Sequence, residues 1–499
     1  MPPKFSKMLF GLVLLGVWGA LWACNFPQPQ GQPVPQGGHQ VALPPVASDP
    51  TPSATPLPVR PEYKPGTLVS YRAQTGDTLP AIAAHFNTTV AEIREANPDL
   101  PERLTTLPPG MPLQIPIYYA PFWGSPFKIL PDPLYVNGPA ARGFDVQAFV
   151  AQYPNGWLAN YQEYAAGATR SGANIVETIA TSYSIDPRLL LALLEYQAGA
   201  LSKPSLPEDQ MRYPLGYEDP AHRGLYLQLG YAANLLNNGY YGWRIGALSV
   251  FTLQDGTEVR PDPWQNAASV ALQFYFAKML PADMYYMAIS PEGFYRLYRF
   301  LFGDPWENPP PPHIPANLHQ PPMRLPFAKG EVWAFTGAPH TGWGVGQPFA
   351  ALDFAPLGAT GCRPSDRWAV AVADGVVARS EYATVMLDLD GDMDERTGWD
   401  VLYFHLADDG RAPQGAVLLA GDPVGHPSCE GGRTTGTHVH IARKYNGEWI
   451  VAYGPIPFNL DGWIPETAGR AYKGDLRRGT GLVVASGQGS PESHIRAEH

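Results

Sequence analysis

Two histidines one residue apart, His438-Val439-His440, constrain this chain more than any other feature. Side chains alternate between the faces of a strand, so both imidazoles point to one side of a sheet. Other donors precede them: His340 after Pro339, Asp353 in Leu352-Asp353-Phe354, and His405 closing the apolar run from Val401 to Phe404. A lone histidine at a strand end more often makes a structural hydrogen bond than a metal bond. A set of imidazoles with one carboxylate suits zinc, which takes three N or O ligands at a catalytic site and keeps a fourth position open.

At these residues the segment resembles the LytM/lysostaphin-type metallopeptidases, the M23 peptidase family. The resemblance rests on Pro339-His340, Leu352-Asp353-Phe354, the run Val370-Ala371-Val372-Ala373-Asp374-Gly375-Val376-Val377, Tyr403-Phe404-His405 and Gly436-Thr437-His438-Val439-His440. It covers roughly residues 316–468 and implies a mostly antiparallel β-sheet. It further implies that His340, Asp353 and His440 hold Zn2+, while His405 and His438 orient the attacking water and stabilise the oxyanion. Which of those two acts as base stays open. The implied activity is hydrolysis of peptide cross-links in bacterial peptidoglycan. One departure is the stretch Thr341–Leu352 between the first two ligands, whose three glycines and one proline read as a loop. Such a loop can bulge outward and still return both ligands to one ion.

The N-terminal residues read as an export signal: Lys4 and Lys7 precede an apolar run from Met8 to Ala23, shorter than the ~20 residues of a spanning helix. Leu21-Trp22-Ala23-Cys24 resembles a bacterial lipobox, which implies lipidation at Cys24 and a membrane anchor for the mature chain. Ordinary signal-peptidase cleavage is the alternative. Setting Cys24 aside leaves Cys362 and Cys429, an even pair in an oxidising space, for which we expect a disulfide. Two small buried thiols are the other reading. From Asn25 to Thr67 there are twelve prolines and no charged side chain before Asp49. Such a segment favours polyproline II and reaches on the order of 100 Å at about 3.1 Å per residue. The net charge of -11 excludes the usual footprint of a nucleic-acid binder, and no basic run offsets it.

After this segment, Val69–Ala73 alternates like a strand, and Thr78 can cap a helix containing Ile82 and Phe86. Thr88 or Thr89 can cap a second helix through Ala96, and Pro112–Ile115 reads as a closing strand. This βααβ pattern, with Gly76-Asp77-Thr78-Leu79 and Ile93 to Asn97-Pro98, resembles a LysM domain over residues 68–117. The resemblance implies binding of N-acetylglucosamine chains, with Gly76, Asp77, Thr78 and Asn97 as glycan-contacting candidates. Gly76 and Asp77 can equally serve only to make the turn.

Residues 118–149 read as a linker and residues 150–308 as a mainly α-helical domain. Ile175, Ile179 and Tyr183 share one face, and Asp186-Pro187 opens a helix that ends at Gly199. The order Ala192-Leu193-Leu194-Glu195-Tyr196-Gln197-Ala198-Gly199, followed by Gly224-Leu-Tyr-Leu-Gln-Leu229, faintly resembles lysozyme-like lytic transglycosylases. Gln197 stands where that family has its acid, and an amide cannot protonate a glycosidic oxygen. Glu195 lies about 200° away around the helix. It is either an acid for glycan cleavage or a buried group paired with Arg188 or Arg223.

Between two strand-like runs, Asp388-Leu-Asp390-Gly-Asp392-Met-Asp394-Glu395 clusters carboxylates. Calcium is one reading. Gly391 comes too early for an EF-hand and Trp399 occupies its twelfth position, so we read a solvated hairpin tip.

Together these features predict a multidomain α+β protein: signal 1–24, linker 25–67, LysM module, linker, helical domain, peptidase domain 316–468, and a tail 469–499. The expected function is a zinc endopeptidase facing the cell wall, with peptidoglycan glycan and stem peptides as partners. A non-catalytic wall-binding scaffold, or glycan cleavage by the helical domain, are the alternatives.

Overall fold

The computed structural model describes residues 61–118, 124–359 and 361–498. Cys24, the signal-like segment and most of the proline-rich stretch lie outside them. Among the described residues no helix is long and apolar enough to cross a membrane.

The first module pairs β1 (Thr67–Arg72) antiparallel with β2 (Pro112–Ile117) around α1 (Leu79–Phe86) and α2 (Val90–Ala96). Thr78 caps α1, with Pro80 in the first turn where its missing N–H costs nothing. Thr89, not Thr88, caps α2 and forms a reciprocal capping box with Glu92. Strand alternation buries Val69 and Tyr71 on Ile82, Phe86, Ile93 and Ile115, and leaves Leu68 outside.

The helical region is built on α3 (Gly172–Tyr183), α4 (Pro187–Ala198), α5 (Leu225–Arg244) and α6 (Ala267–Met279). Ser171 caps α3, Asp186 caps α4, and Gly199 ends α4 in the left-handed region. α5 and α6 approach closely because Gly239 has no Cβ, which would lie 2.8 Å from the Cα of Ala271. The expected linker 118–149 is not a linker. Ile129, Leu130, Tyr135 and Val136 are buried in the helical core, so their apolar run belongs to that domain.

The C-terminal part is a nine-stranded antiparallel sheet: β3 (Val332–His340), β4 (Ala351–Pro356), β5 (Gly375–Glu381), β6 (Thr384–Asp388), β7 (Trp399–Phe404), β8 (Val417–Leu418), β9 (Val439–Tyr445), β10 (Glu448–Trp449) and β11 (His494–Arg496). The order across it is β8-β5-β6-β7-β9-β4-β3-β11, with β10 paired to β9. The expected tail 469–499 is corrected here. β11 pairs with β3, Ile495 lies in the sheet core, and Gly474–Arg478 and Gly481–Val484 form two strands of a small sheet. These strands are short and interrupted by charge, which hides their period.

Both faces of the large sheet are covered. Val385, Leu387, Val401, Tyr403, Val439 and Ile441 face the domain's own core, whereas Met386, Leu402, Ala442 and Trp449 join the core of the helical region. The described residues belong to one compact unit.

Candidate metal centre

The sheet register builds the centre. Asp353 in β4 lies opposite His440 in β9, which on its other side opposes Phe404 at the end of β7. Because Val439 and Ile441 face the sheet core, His440 faces the side covered by the helical region, as does Asp353 between Leu352 and Phe354. His340 ends β3 beside them. His405 follows β7 with a left-handed backbone, φ 63°, the kind of local strain that persists where surrounding contacts fix it. Here Ser428 N–H donates to the His405 carbonyl at 2.6 Å.

His340 Nε2 is 3.0 Å from His440 Nδ1, and each of these nitrogens is 3.2 Å from Asp353 Oδ1. Ligands at zinc–donor distances near 2.05 Å in a tetrahedron stand about 3.3 Å apart, so this triangle fits one tetrahedral ion. The remaining ring nitrogens are engaged: His340 Nδ1 with the Ala338 carbonyl at 2.8 Å and His440 Nε2 with the Gly342 carbonyl at 3.2 Å. Such outer contacts fix which nitrogen points inward. All three residues are buried. Burial alone pushes the Asp353 carboxyl up, and the fields of His340 and His438 overcome it, holding it well below the usual carboxylate range. Gly337 lies opposite Asp353, and any Cβ there would clash with the carboxylate.

His405 and His438 stand beside this triangle with ring centroids 4.7 Å apart. His405 Nδ1 meets the Glu430 carbonyl and His438 Nδ1 the Gly436 carbonyl, both at 2.8 Å, which assigns the hydrogen to Nδ1 and frees Nε2. His438 Nε2 lies 3.6 Å from Asp353 Oδ1. Burial, reinforced by His438 and His440, pushes His405 down to about 3, so it is neutral near pH 7. Cys362 and Cys429 are joined in a disulfide. It braces the loop whose Gly361 carbonyl accepts from Thr437 N–H, next to His438.

The stretch after His340 is a loop packed on α5. Asn234 Oδ1 accepts from Val345 N–H and Asn238 Oδ1 from Gln347 N–H, both at 2.7 Å. Trp343 in this loop lies 4.8 Å from the Phe404 ring. Sequence reasoning missed Tyr472, whose half-exposed ring stacks on His340 at 4.1 Å. No periodic pattern marks it.

The glycan candidates do not form an open surface. Asp77 accepts from Tyr71 Oη at 2.6 Å and Gln74 N–H at 2.7 Å, closing its own turn, and burial pushes its carboxyl up to about 6. A Cβ on Gly76 would lie 2.9 Å from Arg244 Cζ of α5. Thr78 caps α1, and Asn97 ties α2 to β2 through Ile93 and Gln114. Thr75 and Thr106 bond the backbone at Ile314, Pro315 and Leu318, so the connecting segment lies along this side of the module. Glu195 is buried, and its partners are neither Arg188 nor Arg223: it accepts from Leu201 N–H, Ser202 N–H and Ser202 Oγ. Arg188 pairs with Asp186, and Arg223 donates to Tyr213.

Comparison with known proteins accords with this geometry. Residues 71–116 match the LysM domain, and residues 128–317 match the N-terminal domain of LasA. Protease LasA of Pseudomonas aeruginosa (strain UCBPP-PA14) is 28% identical over 362 residues, covering 66% of this chain and 78% of LasA. The beta-lytic metalloendopeptidase of Achromobacter lyticus is 27% identical over 164 residues, 31% of this chain and 41% of that protein. Among solved structures, the M23 metalloprotease pseudoalterin is 23% identical, with a TM-score of 0.28, covering 33% of this chain and 94% of that one. The chain thus carries a LysM domain followed by a LasA-type N-terminal domain, and it is a relative of the LasA and beta-lytic metalloendopeptidases.

Proposed function

We propose that this chain is a zinc-dependent endopeptidase that hydrolyses peptide cross-links of bacterial peptidoglycan. The observation that carries the proposal is the triangle of His340 Nε2, Asp353 Oδ1 and His440 Nδ1 with edges of 3.0–3.2 Å. These three residues would hold the ion. When bound, zinc supplies a Lewis acid for the scissile carbonyl and makes water acidic enough to act as a nucleophile near neutral pH. The imidazole of His405, neutral near pH 7, and that of His438 turn their Nε2 atoms toward that position, their Nδ1 atoms being held by backbone carbonyls. An unprotonated Nε2 there would take the proton released on attack, and the Nε2–H so formed would then donate to the developing oxyanion or pass that proton to the leaving amine. Tyr472 stacks on His340, Phe404 lies against His405 and Trp343 packs on Phe404, so flat aromatic surface borders the centre.

The LysM domain places the enzyme on glycan strands, a fused-module gain in local substrate concentration. A diacylated Cys24 and the proline-rich segment would hold the working part outside the membrane, facing the wall. Glycan cleavage by the helical region loses its main support, because both Glu195 oxygens are already occupied away from any cleft.

Purified residues 25–499 incubated with cross-linked muropeptides should release new amino termini and no new sugar ends. His440→Ala removes one ligand and is expected to abolish release while cutting zinc content in elemental analysis. Turnover that persists in the zinc-free variant would overturn the assignment.

A further inference from the structure

A second group of carboxylates lies at the hairpin joining β6 to β7, away from the zinc ligands. Ligand oxygens of Asp388, Asp390 and Asp392 lie within 4.8 Å of one another. Two oxygens on opposite sides of a calcium ion, each about 2.4 Å from it, stand about 4.8 Å apart. Clustered acids alone say little, since a solvated tip carries them cheaply. Asp400 changes the reading. It is fully buried, neither carboxylate oxygen has a hydrogen-bond partner, and it sits directly across from Asp388 in the β6–β7 register, on the same face.

An orphaned buried carboxylate is costly and demands an explanation in a native fold. Lys444 stands across from Asp400 in the β7–β9 register, but its ion pair is with Glu395 and not with Asp400. Arg396 and Arg142 pair with Asp394 at 2.6 and 2.9 Å, and Arg379 and Lys444 pair with Glu395 at 2.7 and 3.1 Å. Arg142 reaches Asp392 only at 3.6 Å. Among the described residues, Asp388, Asp390 and Asp400 have no salt-bridge partner.

We propose that Asp388, Asp390 and Asp392 bind a calcium ion, with Asp400, across from Asp388, as the buried charge that the ion offsets. An all-oxygen, multiply acidic donor set suits a hard cation, and irregular loop geometry suits calcium better than magnesium, which demands a near-ideal octahedron. The spacing that argued against an EF-hand is resolved in three dimensions. Met393, sixth from Asp388, makes the left-handed turn at φ 63°, and Asp400, across from Asp388 on the next strand, adds the negative charge that Trp399 cannot. The ion would fix the start of β7, whose other end delivers His405 to the centre.

Zinc-loaded full chain should show saturable terbium luminescence sensitised by the adjacent Trp399, displaced by calcium at least 10-fold more effectively than by magnesium. Calcium should also raise the melting temperature by several degrees. The double variant D390N/D392N, on the exposed side of the loop, is expected to weaken calcium at least 10-fold while leaving zinc content unchanged. Asp400→Asn should stabilise the calcium-free protein by removing a buried charge, yet lose the calcium-dependent rise. No saturable signal, or one untouched by D390N/D392N, overturns the site. A full calcium response in Asp400→Asn removes Asp400 from it.

Discussion

Gly337 shows how one missing methyl protects the centre. It lies across from Asp353, and a Cβ there would meet the carboxylate head-on. Gly337→Ala should therefore push Asp353 out of the triangle, lowering zinc affinity about 10–100-fold, the range seen when a ligand's support is removed. Metal analysis and turnover should fall together while circular dichroism stays unchanged, because the backbone at Gly337 needs no left-handed conformation. That His438 and His440 share a face was legible in the sequence, because strand periodicity sets the face, whereas bringing His340 and Asp353 to them rested on the family resemblance alone. Tyr472 was not legible, since a single aromatic among polar neighbours carries no period and its contact with His340 is long-range. Glu195 was half legible. Its angle around α4 excluded the cleft, but its partners proved to be the N–H groups just past the helix end, and Arg188 was already held by Asp186 two residues away.

At the level of elements, α5 holds the loop after His340 through two asparagines. Replacing both in N234A/N238A removes two acceptors of backbone N–H groups, at about 1 kcal/mol each. The loop should loosen, Trp343 should leave Phe404, and limited proteolysis between residues 341 and 349 should speed up while the sheet stays resistant. Val385–Leu387 in β6 and Val401–Phe404 in β7 read in the sequence as unbroken apolar runs, the pattern left by burial on both faces. What the second face packs on could not be read there, because the helices that cover it lie more than a hundred residues upstream. The same limit applied to residues 118–149, whose prolines and short apolar groups resemble a connector until Ile129 and Tyr135 are seen in the core.

Across the whole molecule, Glu448 is where modules meet. It lies 3.0 Å from Arg244 and 2.7 Å from both His313 and Tyr240 Oη, all outside the large sheet. Burial raises its carboxyl, but Arg244 and His313 outweigh that and bring it down to about 2 from an ordinary 4.5. A depressed carboxyl contributes stability that is present above pH 4.5 and lost as pH falls toward 2, here about 3 kcal/mol. Tryptophan fluorescence between pH 7 and pH 2 should show the docked sheet loosening in that window, and Glu448→Gln should start less stable and flatten the acid limb. Asp77 works in the opposite sense. With its carboxyl raised to about 6, the stability it contributes is present below pH 3.8 and is lost as pH rises through 6. Arg244 also donates to the Thr75 carbonyl of the first module and lies 3.3 Å from Asp132. One guanidinium therefore rivets the first module, the helices and the large sheet into a single calliper. With its jaws set, the first module and the metal centre keep one distance and one angle, so a polymer held at the first would meet the second at a fixed interval rather than by chance encounter.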